Sequence, residues 1–216
     1  MVESNRLVQA LARLSKAATA DFAVDDMLRE LCEVAGTALA VDGVGVMGTD
    51  GDLVRRPRGR YVHSDQVAVT VEKLQEALQQ GPCREAMDAG AVVVIPDIST
   101  CADRWPQFVP VAQESQLSAV VAVPLMSRGR TWGALDLYRR LPGAWGEAEV
   151  ATAQLLGDVA VSYVVMAHDR DVARLAQLEL RHRTLHDPLT GLANRVLLYD
   201  RLSHALATAQ RRAPSR

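Results

Sequence analysis

Residues 119–126 (AVVAVPLM) and 131–139 (TWGALDLYR) are apolar segments separated only by Ser127-Arg128-Gly129-Arg130. A connection that short cannot carry the chain across a sheet, so the two segments must run antiparallel as a hairpin. That pairing constrains the rest. A sheet built from hairpins exposes two faces, and helices must cover at least one of them. Nearly half the chain is apolar (49%) and about a quarter is charged (23%), which suffices for an ordinary globular core. With only two Phe and three Trp, that core must be made mostly of Val, Leu and Ala.

The remaining elements follow from period and punctuation. Val8, Leu11, Leu14 and Ala18 share one helical face, and Leu28, Leu31, Cys32, Ala35 and Leu39 share another, with Asp21 or Asp25 placed to cap the second helix. Residues 41–47 are short, β-branched and glycine-punctuated, and Asp50-Gly51 supplies the positive φ of a tight turn before Leu53 and Val54. The run from Arg55 to Arg60 reads as an exposed loop. Val71, Leu74, Gln75 and Leu78 predict a helix ending near Gly81, and Pro82 suits the first position of the next. Residues 91–95 form a strand stopped by Pro96-Asp97, and residues 105–113 a short helix behind Pro106. From Glu147 a helical pattern continues to about Leu185 without proline. The expected class is α+β: an antiparallel sheet sandwiched by helices, followed by a long helix. One sheet face is packed by the terminal helices, and the other is the natural place for a pocket.

Five segments, in this order, resemble actinobacterial GAF domains: Gly81-Pro82-Cys83, Val94-Ile95-Pro96-Asp97-Ile98, Arg104-Trp105-Pro106, Ala122-Val123-Pro124-Leu125 and Gly133-Ala134-Leu135-Asp136-Leu137-Tyr138. The resemblance implies a ligand- or redox-sensing regulatory domain, often dimeric, over residues 1–167. A second stretch, His186-Asp187-Pro188-Leu189-Thr190-Gly191-Leu192-Ala193-Asn194-Arg195, resembles the opening of a GGDEF domain, the diguanylate cyclase module. It implies a signalling linker over 168–186 and an N-terminal fragment of the cyclase domain over 187–216. Asp187, Leu189, Thr190, Gly191, Asn194 and Arg195 carry that motif. Asp187 can cap, Gly191 can turn left-handed, and Asn194 can cap a helix bearing Leu198, Leu202, Ala205 and Ala209. No Gly-Gly pair occurs in the chain, so the hairpin that holds GTP in that family is absent, and no catalysis is expected of the chain itself.

The candidate ligand or redox residues are Cys83, Cys101, Trp105 and Trp132. Behind Pro82, Cys83 would occupy the first turn of a helix, where the dipole and free N–H groups favour a thiolate. Its competing reading is a small apolar residue packed beneath a loop. Cys83 with Cys101 also raises an alternative resemblance, to free methionine sulfoxide reductases, although Cys101 and the residues after it depart from that pattern. A fold retained only for dimerisation is a further alternative. Trp132 can equally be core. The histidines read as surface residues, and no cofactor is specified.

The long helix carries Val161, Val164, His168, Asp171, Leu175, Leu178, His182 and Leu185 at heptad spacing, a broken seam that implies a homodimer through the terminal helices. The other expected partner is an unidentified small molecule. With a formal charge of −2, the chain has no overall attraction to nucleic acid, and the Arg55–Arg60 loop is expected to be solvated. Three cysteines, no signal-peptide pattern and no apolar run judged long enough for a bilayer point to the cytoplasm and away from a membrane.

Overall fold

The computed structural model describes residue 12 and residues 24–48, 61–63, 66–187 and 190–212. It divides into two compact units, one running to His168 and the other beginning at Asp169. In the first unit the order is α1 (Val24–Leu39), β1 (Gly43–Gly48), β2 (Tyr61–His63), α2 (Gln66–Leu78), α3 (Pro82–Ala89), β3 (Val93–Ile95), a 3₁₀ turn (Ile98–Cys101), α4 (Phe108–Glu114), β4 (Ala119–Ser127) and β5 (Arg130–Arg139). α5 (Glu147–Leu185) leaves that unit, and α6 (Arg195–Arg212) lies in the second. The strands form one sheet in the order β2-β1-β5-β4-β3, with every neighbouring pair antiparallel. The mixed helix and antiparallel-sheet class matches the expectation.

β5 is central, paired along its length with β1 on one side and β4 on the other. The β4–β5 link is tighter than expected: Arg128 (φ 53°) and Gly129 (φ 74°) are both left-handed, as a two-residue hairpin turn requires. Strand alternation then sorts the side chains. Val44, Val46, Val121, Val123, Leu135 and Leu137 join α1 and the first turns of α5 in the main core. Val93, Ile95, Val120, Ala122 and Tyr138 point to the other face, where they meet Val71 of α2, Ala86 of α3 and Phe108 of α4.

Several details depart from the sequence reading. The helix behind Pro106 begins at Phe108 rather than residue 105, because Trp105 is engaged in a turn through its N–H to the Cys101 carbonyl (2.9 Å). The 3₁₀ turn was not anticipated. Asp97 caps it by accepting from the Ser99 N–H at 2.9 Å. Contrary to the expectation that no run reaches bilayer length, one stretch of α5 is long and apolar enough to cross a membrane, but half of it is buried inside the protein, as in a core helix of a soluble domain. The first expected helix, the Asp50-Gly51 turn and the arginine-rich loop lie outside the described residues.

Close approach of β1 to β5 depends on Gly133, where an added Cβ would collide with the Met47 carbonyl oxygen. Gly133→Ala should therefore destabilise the domain by about 1–3 kcal/mol, the usual cost of overpacking. Denaturant unfolding checks this, and an unchanged midpoint would contradict the β1–β5 register.

Candidate functional site

On the sheet face away from α1 and α5, the residues beside Asp136 are unusually small. Its cross-strand partners are Gly45 on β1 and Ala122 on β4. Tyr138, two residues along, faces Gly43 and Val120. Small neighbours leave a hollow over the middle of the sheet, and polar side chains from α2 and α3 fill it. Glu72 and Gln75 descend from α2, three residues apart and so on one helical face. Cys83 descends from α3. Glu72, Gln75, Cys83 and Asp136 are fully buried, and Tyr138 nearly so. A side chain at Gly45 would strike Glu72 Oε1, so this glycine is a condition of the arrangement.

The hydrogen bonds are specific. The Tyr138 hydroxyl donates to Glu72 Oε1 and lies 3.1 Å from Asp136 Oδ2. Gln75 Nε2 is 3.5 Å from both Asp136 Oδ2 and the Tyr138 hydroxyl. Gln75 Oε1 accepts from the Cys83 N–H at 2.8 Å, satisfying one of the open donors at the start of α3. Gly81, just before that helix, has φ 124°, and a Cβ there would collide with Gln75. Pro82 occupies the first turn as the sequence suggested.

Electrostatics set the character of the site. Burial pushes the Glu72 carboxyl well above its ordinary value, and the neighbouring Asp136 charge adds to the rise. Burial raises Asp136 as well, against the lowering effect of its hydrogen bonds. Two adjacent buried carboxyls cannot both stay ionised without a compensating charge. Glu72 Oε2 and Asp136 Oδ1 are buried with no hydrogen-bond partner. The thiolate expected for Cys83 from its place at a helix start is corrected here. Burial, then the Asp136 and Glu72 charges, push the thiol well above its usual range, and these outweigh a helix of only eight residues.

The other sequence candidates are not brought to this cluster. Cys101 and Trp105 pack with Ile98 and Phe108, whereas Cys83 packs with Met47, Met87 and Ala134. Trp105 also lines an open hollow of about 500 Å³ with Arg84, Glu85, Asp88 and Arg104, where Arg104 pairs with Glu85. Trp132 lies in the main core, its ring edge-on to His168 at 5.0 Å and its Nε1 donating to the Ser127 carbonyl at 3.1 Å. Tertiary packing therefore claims His168, which was expected to be solvated. Glu72 and Tyr138 were not singled out by sequence reasoning. The available signal was the polar pair Glu72 and Gln75 on the apolar stripe of α2, opposite a lone Asp in an apolar strand.

In the second unit, Asp187 Oδ1 accepts from the Thr190 N–H and hydroxyl, both at 3.0 Å. Gly191 takes φ 70°. Asn194 Oδ1 caps α6 by accepting from Leu197 N–H at 3.1 Å, while its Nδ2 donates to the Thr184 carbonyl at 2.6 Å. The local turn and cap therefore form as their residue types predict, with Arg195 opening α6 and its guanidinium 5.4 Å from the centre of the Tyr199 ring. Leu189 lies outside the described residues.

All three thiols are free and buried, and burial pushes Cys32 up to about 12. Native protein should thus react negligibly with a disulfide-exchange reagent at mildly alkaline pH, since the thiolate is the attacking form. Full reaction is expected only in denaturant. A rapidly titrating thiol lost in Cys83→Ser would contradict this burial.

Comparison with known proteins agrees with the architecture. The GAF domain family matches residues 23–163. Among solved structures, the GAF domain of an Acinetobacter phosphoenolpyruvate-protein phosphotransferase superposes with a TM-score of 0.55 at 16% identity, covering 75% of this chain and 94% of that one. Free methionine-R-sulfoxide reductase from Neisseria meningitidis, solved with its substrate, gives 0.54 at 19% identity, with coverages of 78% and 91%. The GAF domain of the cyanobacteriochrome TePixJ gives 0.53 at 18%, with coverages of 69% and 98%. No curated protein matches the sequence. At these identities the structural likenesses speak to the fold alone, whereas the family match spans well over half of the chain. The chain belongs to the GAF domain family, a family of sensory and regulatory modules.

Proposed function

We propose that the chain is the cytoplasmic sensory part of a GAF–GGDEF diguanylate cyclase, which reads a small molecule or redox state and passes it through a paired helix to cyclic di-GMP synthesis. The observation that carries this reading is the order of features along α5. Its first turns are built into the GAF core through Ala153, Leu156, Ala160, Val161 and Val164. Its later turns expose Val172, Leu175 and Leu178. The capped turn bearing the GGDEF-like motif follows directly.

Val161 and Val164, the first two heptad positions, are taken up by their own domain, so the proposed seam begins after His168. An apolar stripe left in water costs about 25 cal/mol per Å², which a second copy of the chain would relieve. A parallel pair also suits the chemistry, because cyclic di-GMP joins two GTP molecules and its synthesis requires two catalytic domains to meet. The reductase alternative gains nothing from the placement of Cys83 and Cys101 in separate packing clusters.

The test joins residues 1–195 to the catalytic part of an active diguanylate cyclase. The chimera should sediment as a dimer at tens of micromolar and make cyclic di-GMP. Leu175→Glu with Leu178→Glu should weaken both by roughly ten-fold, equivalent to about 1.4 kcal/mol of pairing, without lowering the melting temperature of the GAF domain. A monomeric wild type, or a double variant with undiminished association and activity, would contradict the proposal.

A further inference from the structure

We propose that Glu72, Cys83 and Asp136 form a binding site for a divalent transition-metal ion of the zinc type. One ligand atom from each lies within 4.8 Å of the other two. Whatever the shape of that triangle, some point is within about 2.8 Å of all three atoms. Zinc bonds run to about 2.3 Å for thiolate and about 2.0–2.2 Å for carboxylate oxygen, so side-chain closure of roughly half an ångström completes the site.

The pattern of satisfied and unsatisfied oxygens supplies the independent indication. Each carboxyl has one oxygen engaged by the surroundings: Glu72 Oε1 by the Tyr138 hydroxyl, and Asp136 Oδ2 by the Gln75 amide, with the Tyr138 hydroxyl oxygen 3.1 Å away. The other oxygen of each, Glu72 Oε2 and Asp136 Oδ1, is buried without any hydrogen-bond partner. Buried acceptors are ordinarily paired, so two orphans in one cluster call for an occupant. One free oxygen beside one held oxygen is the arrangement of monodentate carboxylate ligands braced by outer hydrogen bonds. Gln75 also fixes the backbone of Cys83, so one amide orients two of the three ligands.

Charge favours the same occupant. Acting as ligands, the two carboxylates and the thiolate would carry three negative charges in a fully buried space, of which a dication would offset two. The mixture of one sulfur and two oxygens suits zinc, iron(II) or cobalt(II) better than calcium or magnesium, which take oxygen alone. Three protein ligands leave a fourth tetrahedral position for water or an exogenous ligand, a means by which a sensor domain can recognise a small molecule. The inference is independent of the paired-helix reading and of any attached cyclase.

The test uses the full chain without a purification tag, reduced, stripped with a chelator and titrated with cobalt(II) and zinc(II). Cobalt should bind at one ion per chain with a thiolate-to-metal charge-transfer absorption in the near ultraviolet. Zinc should displace it and raise the melting temperature. Cys83→Ser should abolish the absorption, and Glu72→Gln, a neutral isostere, should weaken zinc binding by at least ten-fold. Wild-type protein that shows no charge-transfer absorption and no zinc-dependent shift in melting would overturn the proposal, as would an absorption that survives in Cys83→Ser. If Cys83→Ser does not fold, Glu72→Gln decides: a zinc-induced melting shift equal to that of the wild type overturns it.

Discussion

The site depends on a conflict that the fold does not avoid: Glu72 and Asp136 are buried side by side on the sheet. Burial of a single unpaired charge is costly, and burial of two like charges together is more so. The surrounding residues are arranged to tolerate it. Gly45 leaves the space that Glu72 occupies, and Ala122 flanks Asp136 from the other side. Tyr138 lies against both acids and Gln75 against Asp136, and Gln75 also satisfies the start of α3. Protonation of one carboxyl relieves the conflict in part, and a bound cation would relieve it more fully.

The same strand that supplies Asp136 and Tyr138 to this cluster sends Leu135 and Leu137 to the opposite face, where α1 and α5 pack. The acidic cluster and the outgoing helix therefore share one strand. Gly157 brings α5 close to β4 as well, since an added Cβ there would meet Val123 Cγ1 at 2.8 Å. A change in occupancy above the sheet has only a short, well-packed path to the helix below it. Such packing transmits small displacements instead of absorbing them.

Local rules made much of this fold legible. The short link between β4 and β5 dictated their pairing, Pro82 marked the start of α3, and Gly191 and Asn194 foretold the turn and cap before α6. What local rules could not give was the meeting of residues far apart in sequence. Glu72 and Tyr138 are 66 residues apart, and the one local sign of Glu72, its spacing three residues before Gln75 on α2, does not say what it meets. A glutamate on an otherwise amphipathic helix ordinarily faces water. Gln75 did fall on the apolar stripe, but its role depends on Asp136 and Cys83, which only the sheet register brings beneath it. Cys83 shows the same limit: its helix position predicted a lowered pKa, and the carboxyls delivered by other elements reversed the direction.

A double-mutant cycle tests whether Glu72 and Asp136 face each other as a buried pair. Unfolding free energies of the metal-free wild type, Glu72→Gln, Asp136→Asn and the double variant give the coupling between the two groups. Groups in direct contact should show a coupling of at least about 0.5 kcal/mol. Additivity between Glu72→Gln and Asp136→Asn would contradict the account.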